Sequence, residues 1–178
     1  MAMAVATAKM TIADFEKIPP PREGWHELHH GEVVAAPPPK KHHTRLHWRL
    51  LRLLEKMVRE SWVAVVELPF RPLPEHELWT ADIGLVAKHR WEAAEDWLTG
   101  SPELVVEILS PSNTASEMLD RQMICTQGGC REFWVVDADR RAVHVWRSDG
   151  TTTAYTGNDE MPLAAFGGKP LAVAEVFA

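Results

Sequence analysis

Apolar residues recur at helical spacing in one long stretch of this 178-residue chain, from His43 to Arg59. The repeating apolar positions are Leu46, Leu50, Leu53, Leu54 and Met57. This pattern predicts an amphipathic helix that packs one face on a core and exposes a basic face. Shorter helices are predicted over residues 11–18, 90–98 and 113–129. The last of these begins with a capping box, Thr114 followed by Glu117, which satisfies free backbone groups of the first turn.

Short apolar runs bounded by proline, glycine and polar turns predict β-strands between the helices. Residues 25–36 have the pattern of a hairpin. Further strands are predicted over residues 62–70, 80–87 and 102–113, with two more within 132–147. The apolar residues 170–178 are expected to pack on the core. Helices that flank a mixed sheet make an α/β (α+β) domain, which we expect to span residues 10–178 after a disordered tail of residues 1–9.

Composition places the chain among globular proteins, with 46% hydrophobic and 25% charged residues. The net charge of -6 argues against binding of nucleic acid over the whole surface, so any DNA contact needs a local basic patch. The long helix offers one, made of Arg45, Arg49, Arg52, Lys56 and Arg59. The two cysteines, Cys125 and Cys130, form no disulfide framework, which favours a reducing cytoplasm. No stretch reaches the roughly 20 apolar residues of a membrane span.

Two acidic residues lie within predicted buried strands, Asp82 in the segment TADIGLVA and Glu107 in the segment PELVVEILSPSN. A carboxylate is costly to bury unless it is paired or binds a cation. Two carboxylates on successive strands can converge on a divalent metal, as in hydrolases that cleave phosphodiesters. Simpler roles also fit these residues, because Asp82 can cap a turn and Glu107 can form a buried salt bridge with Arg121.

Histidines crowd the first third of the chain, and His43 and His47 lie four residues apart on the predicted long helix. This spacing places two imidazoles on one helix face, where they can bind zinc. The segment lacks the glutamate of the H-E-x-x-H motif, and the sequence offers no clear third ligand. The pattern therefore does not favour a zinc enzyme.

Several segments match, in order, the pattern of a known group of nucleases. They are HELHHGEVVAAPPP, the histidine that opens the long helix, ADIGLV, ELVVEILSPSN and GGCREFWVVDAD. With these segments, residues 14–146 resemble the Uma-type family of putative restriction endonucleases, within the PD-(D/E)XK nuclease superfamily. The resemblance implies a restriction-endonuclease-like fold, in which helices flank a mixed central sheet and an N-terminal hairpin extends it.

The resemblance also implies a metal site at the ends of two strands. Asp82 and Glu107 would hold Mg²⁺ or Mn²⁺, with the carbonyl oxygen of Ile108 as a further ligand. The metal would polarise the scissile phosphate and lower the pKa of a bound water. Ala81 stands where the superfamily has a proline, which shapes the backbone and does no chemistry.

The lysine position of the family is occupied by arginine. In Uma-type proteins this lysine lies on the helix after the second acidic strand, in a K-x-x-x-Y pattern, and the matching residues here are Arg121 and Cys125. Arginine keeps the positive charge and can clamp a phosphate, but it cannot act as a base. Arg121 also lies four residues after Glu117, a spacing that stabilises a helix by itself.

By resemblance, the chain is a Mg²⁺- or Mn²⁺-dependent endonuclease of DNA, with Glu27, Glu32 and His43 as auxiliary residues. A homodimer is expected, because small domains of this kind usually lack their own target-recognition module. Two other classes stay open. A catalytically degenerate nuclease fold would bind nucleic acid or a protein without cleaving, which the Arg121 exchange favours. A structural protein would use its tryptophan-rich surface for protein contacts and would not bind DNA.

Overall fold

The computed structural model describes residues 9–111 and 113–178, except for the side chain of His42. The helices are α1 Ile12–Phe15, α2 Lys41–Met57, α3 Lys88–Ala93, α4 Ala115–Gln127 and α5 Val173–Val176, with a 3-10 turn at Ala164–Phe166. The strands are β1 Trp25–His29, β2 Glu32–Ala36, β3 Trp62–Arg71, β4 Trp79–Ala87, β5 Leu98–Thr99, β6 Leu104–Ile108, β7 Glu132–Asp137, β8 Ala142–Arg147, β9 Thr152–Thr156, β10 Glu160–Met161 and β11 Leu171–Ala172. Most of the predicted tail, residues 1–8, lies outside the described part of the chain. None of the described helices is long and apolar enough to cross a membrane.

One seven-stranded mixed sheet organises the molecule, with the strand order β5-β3-β4-β6-β7-β8-β9. Strands β3 and β5 pair in parallel, as do β6 and β7, whereas the other neighbours are antiparallel. Helix α4 makes the crossover between the parallel strands β6 and β7. The hairpin of β1 and β2 is a separate two-stranded sheet. The predicted α/β fold with a mixed sheet and an N-terminal hairpin is confirmed.

Two hydrophobic cores lie on opposite faces of the sheet, because alternate residues of β6 enter different cores. Leu104 and Val106 join the first core, together with Leu50 and Leu54 of α2. The second core takes Val105 with the α4 residues Met118, Ile124 and Cys125. Helix α2 therefore covers one face of the sheet and α4 covers the other.

The pairing of β3 with β4 is interrupted at one position. The antiparallel ladder skips the pair of Glu67 and Asp82, although it continues on both sides. Glu67 has a left-handed backbone with φ 48°, which is uncommon for a residue other than glycine. Along β4, Ala81 belongs to the second core whereas Ile83 belongs to the first, although alternate residues of a regular strand share a face. Asp82 thus lies where the regular alternation of faces breaks.

Local sequence patterns predicted the two long helices well. Helix α2 begins at Lys41 rather than His43 and ends at Met57 rather than Arg59. Helix α4 has the predicted capping box. The Thr114 side chain accepts a hydrogen bond from the backbone N–H of Glu117, and the Glu117 side chain accepts one from the backbone N–H of Thr114. The predicted packing of the C-terminal segment on the core is also confirmed, since α5 belongs to the first core.

The helix prediction for residues 90–98 is wrong in its second half. Helix α3 ends at Ala93, and Leu98 begins a short strand that pairs with β3 beside Phe70. Leu98 is 3% exposed, so its burial against β3 outweighs the local helical pattern. The edge strand Thr152–Thr156 was not predicted, because its side chains are mostly exposed and lack an apolar face.

Candidate active site

A cleft of about 550 Å³ opens where α2, α4 and the hairpin meet the ends of β4 and β6. The predicted site residues that line it are Glu27, His43, Asp82, Glu107, Ile108 and Arg121. Glu32 is exposed on β2 and does not line this cleft. The structure therefore gathers the predicted residues in one place, with Glu32 left outside.

Asp82 is held at the break in β4 by contacts with two other elements. Its Oδ2 accepts a hydrogen bond from the backbone N–H of Ile108, with an N···O distance of 2.6 Å. Its Oδ1 lies 3.2 Å from Nε2 of His47, and its Oδ2 lies 3.4 Å from Nε2 of His43. The same Nε2 of His43 lies 2.9 Å from the carbonyl oxygen of Ile108. Two of the three predicted oxygen ligands, Asp82 and the Ile108 carbonyl, thus lie beside the histidines of α2.

His43, His47 and Asp82 form a group that can hold a divalent cation, because one ligand atom of each lies within 4.8 Å of the others. Nε2 of His47 is buried and makes no hydrogen bond within the described part of the chain, although it lies 3.2 Å from Oδ1 of Asp82. A buried imidazole nitrogen without a hydrogen bond is costly, and a metal ion would satisfy it. The residues present therefore fit a divalent metal.

Glu107 points toward α4 and pairs with Arg121. Nη2 of Arg121 donates a hydrogen bond to Oε1 of Glu107 at 3.0 Å and another to the carbonyl oxygen of Thr80 at 2.7 Å. The guanidinium carbon lies 5.0 Å from the ring centroid of Trp79, which adds a cation–π contact. Arg121 therefore links α4 to β4 and β6 through its side chain.

Burial and neighbouring charges set the protonation of this pair. Burial raises the pKa of Glu107 to about 8; the charge of Arg121 opposes this rise, whereas the charges of Asp82 and Glu27 add to it. Burial also favours the neutral form of Arg121, but the same carboxylates outweigh it and raise the pKa of Arg121 above its ordinary value. Arg121 stays a cation, so it can attract a phosphate but cannot accept a proton.

Glu27 of the hairpin is the third buried carboxylate at the cleft. It accepts a hydrogen bond from Nε1 of Trp25 at 3.1 Å, and it lies 2.6 Å from Nε2 of His29 and 3.5 Å from Nη1 of Arg121. Burial raises the pKa of Glu27, yet the His29 hydrogen bond and the Arg121 charge outweigh burial and leave this pKa below its ordinary value. Glu27 therefore stays ionised and shares Arg121 with Glu107.

The sequence pattern of one protein family matches residues 12–174, which is most of the chain. That family is described as Uma2, putative restriction endonuclease. The chain belongs to the Uma2 family. No curated protein matches the sequence.

A solved structure shares the fold of this Uma2 chain. It is the crystal structure of a putative nuclease belonging to DUF820 from Anabaena variabilis ATCC 29413. The two chains are 20% identical and superpose with a TM-score of 0.81, over 94% of this chain and 97% of the other. The likeness confirms the restriction-endonuclease-like fold, and the fold together with the family supports a nuclease.

His47 is the residue of this Uma2 site that the sequence analysis left unassigned. Its spacing from His43 indicated a pair of imidazoles on one helix face, but no third ligand was evident in the sequence. The third group, Asp82, comes from β4 and reaches α2 because the strand alternation breaks there. Helical spacing alone could flag the pair, whereas only the tertiary structure supplies its partner.

His30 fastens the hairpin to α4. Its Nε2 lies 2.7 Å from Oδ2 of Asp120, and its Nδ1 lies 3.1 Å from Oε1 of Glu77. The hydrogen bond to Asp120 is the main cause that raises the pKa of His30; the charge of Glu77 also raises it, while burial and Lys9 oppose the rise. This contact holds the hairpin, and with it Glu27, against α4.

We expect the stabilisation by His30 to be lost as the pH rises from 6.5 through the raised pKa of the folded state. Below 6.5 the stabilisation is fully present, because His30 is charged in the folded and the unfolded chain. Urea denaturation of the wild type and of His30→Gln should differ by about 0.5–1 kcal/mol more at about pH 6 than at about pH 9, since both partners are almost half exposed. His89→Gln on exposed α3 is the matched control, and an equal difference at both pH values would contradict the prediction.

Proposed function

We propose that this chain is a metal-dependent endonuclease that hydrolyses DNA phosphodiesters with Mg²⁺ or Mn²⁺. The observation that carries the proposal is that Asp82, Glu107 and Arg121 come from three different elements and line one cleft. Carboxylates that can hold a metal, beside a fixed cation, are the groups that phosphodiester hydrolysis needs. The family and the fold support a nuclease, and the substrate and the metal are our extension of that support.

The predicted site residues of the cleft have distinct roles in this proposal. Asp82, Glu107 and the carbonyl oxygen of Ile108 would hold the metal, and Nε2 of His43 lies beside two of these ligands, 2.9 Å from the Ile108 carbonyl oxygen and 3.4 Å from Oδ2 of Asp82. When bound, the metal polarises the phosphate and lowers the pKa of a coordinated water. Arg121 attracts a phosphate oxygen through its charge.

We further propose that DNA lies along the basic face of α2. Lys40 lines the cleft immediately before this helix begins, and Arg45 is exposed one turn further along it. Such a local patch allows phosphate contacts in a chain whose net charge is -6. Cleavage and binding should then weaken steeply as the salt concentration rises.

A cytoplasmic homodimer completes the proposal. Cys125 and Cys130 are free and buried, which suits a reducing compartment. Leu119 and Met123 of α4 are each more than half exposed and offer apolar surface to a second copy. Analytical ultracentrifugation distinguishes this dimer from a monomer.

The test is cleavage of supercoiled, linear and single-stranded DNA with Mg²⁺ or Mn²⁺, wild type beside Glu107→Gln. Glutamine keeps the shape of the side chain and removes its charge and its proton chemistry. We expect the wild type to cut only with added metal, and the variant to cut at least about a hundredfold more slowly. Glu92→Gln on exposed α3 is the matched control. Cutting in the presence of a chelator, or cutting by Glu107→Gln at the wild-type rate, would overturn the proposal.

A catalytically degenerate fold that binds nucleic acid or a protein is the second candidate function. The contacts of Arg121 favour it, since the guanidinium already bonds to Glu107 and Thr80 and lies close to Glu27. A cation held in this way serves as a structural link between α4, the sheet and the hairpin. This alternative expects metal-independent DNA binding without cleavage, and no cleavage by Arg121→Lys. Cutting gained by Arg121→Lys would instead identify the exchanged lysine as the cause of inactivity.

A further inference from the structure

We propose that His47, together with His43 and Asp82, makes this a site for transition-metal dications that accept imidazole ligands, in preference to Mg²⁺. The inference deepens the proposed function and rests on it, because the metal bound here would be the one used in cleavage. It concerns the identity of the metal and the residue that selects it.

The distances between the three side chains suit ligands of one cation. Nε2 of His47 lies 3.2 Å from Oδ1 of Asp82, and Nε2 of His43 lies 3.4 Å from Oδ2. Two ligands bound to one metal at about 2.1 Å, with an angle of about 90–109° between them, are about 3.0–3.4 Å apart. The two N···O distances therefore match the separation of two ligands on one shared metal. Both distances are longer than a strong hydrogen bond.

The burial of His47 gives independent support. Its side chain is 3% exposed, and its Nε2 makes no hydrogen bond among the described residues. Cores seldom leave such an atom unsatisfied. The ring lies against that of His43, with centroids 4.5 Å apart on successive turns of α2. A rigid helix thus presents two imidazoles to one carboxylate, and Nε2 of His47 lies beside that carboxylate without a hydrogen bond to it.

The donor set favours one class of metal. Mg²⁺ prefers oxygen ligands and keeps several waters, whereas imidazole nitrogen suits Mn²⁺, Co²⁺ and Zn²⁺ with increasing affinity. Glu107, a ligand in the proposed function, is outside this group in the described part of the chain and bonds to Arg121, so the inference places the two imidazoles at the metal in its stead. The group therefore offers two nitrogens and one carboxylate, which is a poor site for Mg²⁺ and a good one for the other three ions.

The experiment is isothermal titration of the metal-free full chain with MnCl₂, CoCl₂ and MgCl₂, in the absence of DNA. We expect one ion per chain, with Mn²⁺ bound at least about tenfold more tightly than Mg²⁺ and Co²⁺ more tightly still. The visible absorption of the Co²⁺ form reports nitrogen ligands. His47→Gln should lower the Mn²⁺ and Co²⁺ affinities at least about tenfold and leave that of Mg²⁺ unchanged. His89→Gln, an exposed histidine of α3, should bind all three ions like the wild type.

The wild-type selectivity tests the inference even if His47→Gln does not fold, and circular dichroism reports the folding of each variant. Mn²⁺ and Mg²⁺ bound with equal affinity, no ion bound, or wild-type Mn²⁺ binding by folded His47→Gln would each overturn it. The proposed function can be refuted separately. Selective Mn²⁺ binding without any DNA cleavage would refute the nuclease activity and would leave the metal site supported. Conversely, DNA cleavage by a wild type that binds Mg²⁺ as tightly as Mn²⁺ would refute the selectivity and leave the nuclease activity supported.

Discussion

Asp82→Asn is expected to lower DNA cleavage by about a thousandfold without unfolding the protein. Asparagine keeps an oxygen that can accept the Ile108 N–H hydrogen bond, which measures 2.6 Å in the wild type. It loses the negative charge that faces His43 and His47, and with it the anionic ligand of the proposed metal. A bound metal contributes several kcal/mol to transition-state stabilisation, and about 4 kcal/mol corresponds to about a thousandfold in rate.

The measurement is single-turnover cleavage of supercoiled DNA at saturating Mn²⁺. Asp139→Asn, the same chemical change on an exposed turn, should cut like the wild type. Urea denaturation of both variants separates loss of chemistry from loss of structure. If Asp82→Asn cut within about tenfold of the wild type, Asp82 would not be the residue that holds the metal.

Arg121→Met is expected to lower the free energy of unfolding by about 3–5 kcal/mol. The variant leaves the ionised Glu27 buried without its cation and removes the donor that bonds to Glu107; these residues are 5% and 7% exposed. It also breaks the hydrogen bond to the carbonyl oxygen of Thr80 and the contact with Trp79. An uncompensated buried charge is among the largest penalties that a single substitution can introduce.

A double-mutant cycle with Glu27→Gln checks that the stranded charge is the cause. The combined variant should recover part of the lost stability, because glutamine removes the ionised carboxylate that Arg121→Met leaves without a cation. Arg45→Met, on the exposed face of α2, is the control and should change stability by less than about 0.5 kcal/mol. A loss for Arg121→Met as small as that of the control would show that the buried ion pair contributes little.

Features that depend on neighbouring residues could be predicted from the sequence. The spacing of leucines over α2 and the capping box of α4 are local signals, and both helices form where they indicate. Asp82 and Glu107 stand out because each interrupts an apolar run. Their presence in one cleft follows from the pairing of β4 with β6, which consecutive strand patterns favour.

Features that depend on contacts between distant segments could not be predicted in this way. Leu98 forms an edge strand because β3 offers it a partner, which no local pattern encodes. The role of His47 depends on the break at Asp82, since a regular strand would send that carboxylate to one fixed face. Arg121 was expected either to assist the chemistry or to pair with Glu107, and its bond to Thr80 adds a partner that only the fold supplies.

The break in β4 divides the cleft into two parts that depend on opposite layers of the protein. Asp82 is positioned by α2 and its core, whereas Glu107 is positioned by α4 and the other core. A substitution that loosens one layer therefore disturbs one carboxylate first and leaves the other in place. In the proposed function, metal affinity and phosphate clamping are therefore separable, and we expect a substitution in the α4 layer of this chain to abolish cleavage while the ion stays bound at the α2 layer.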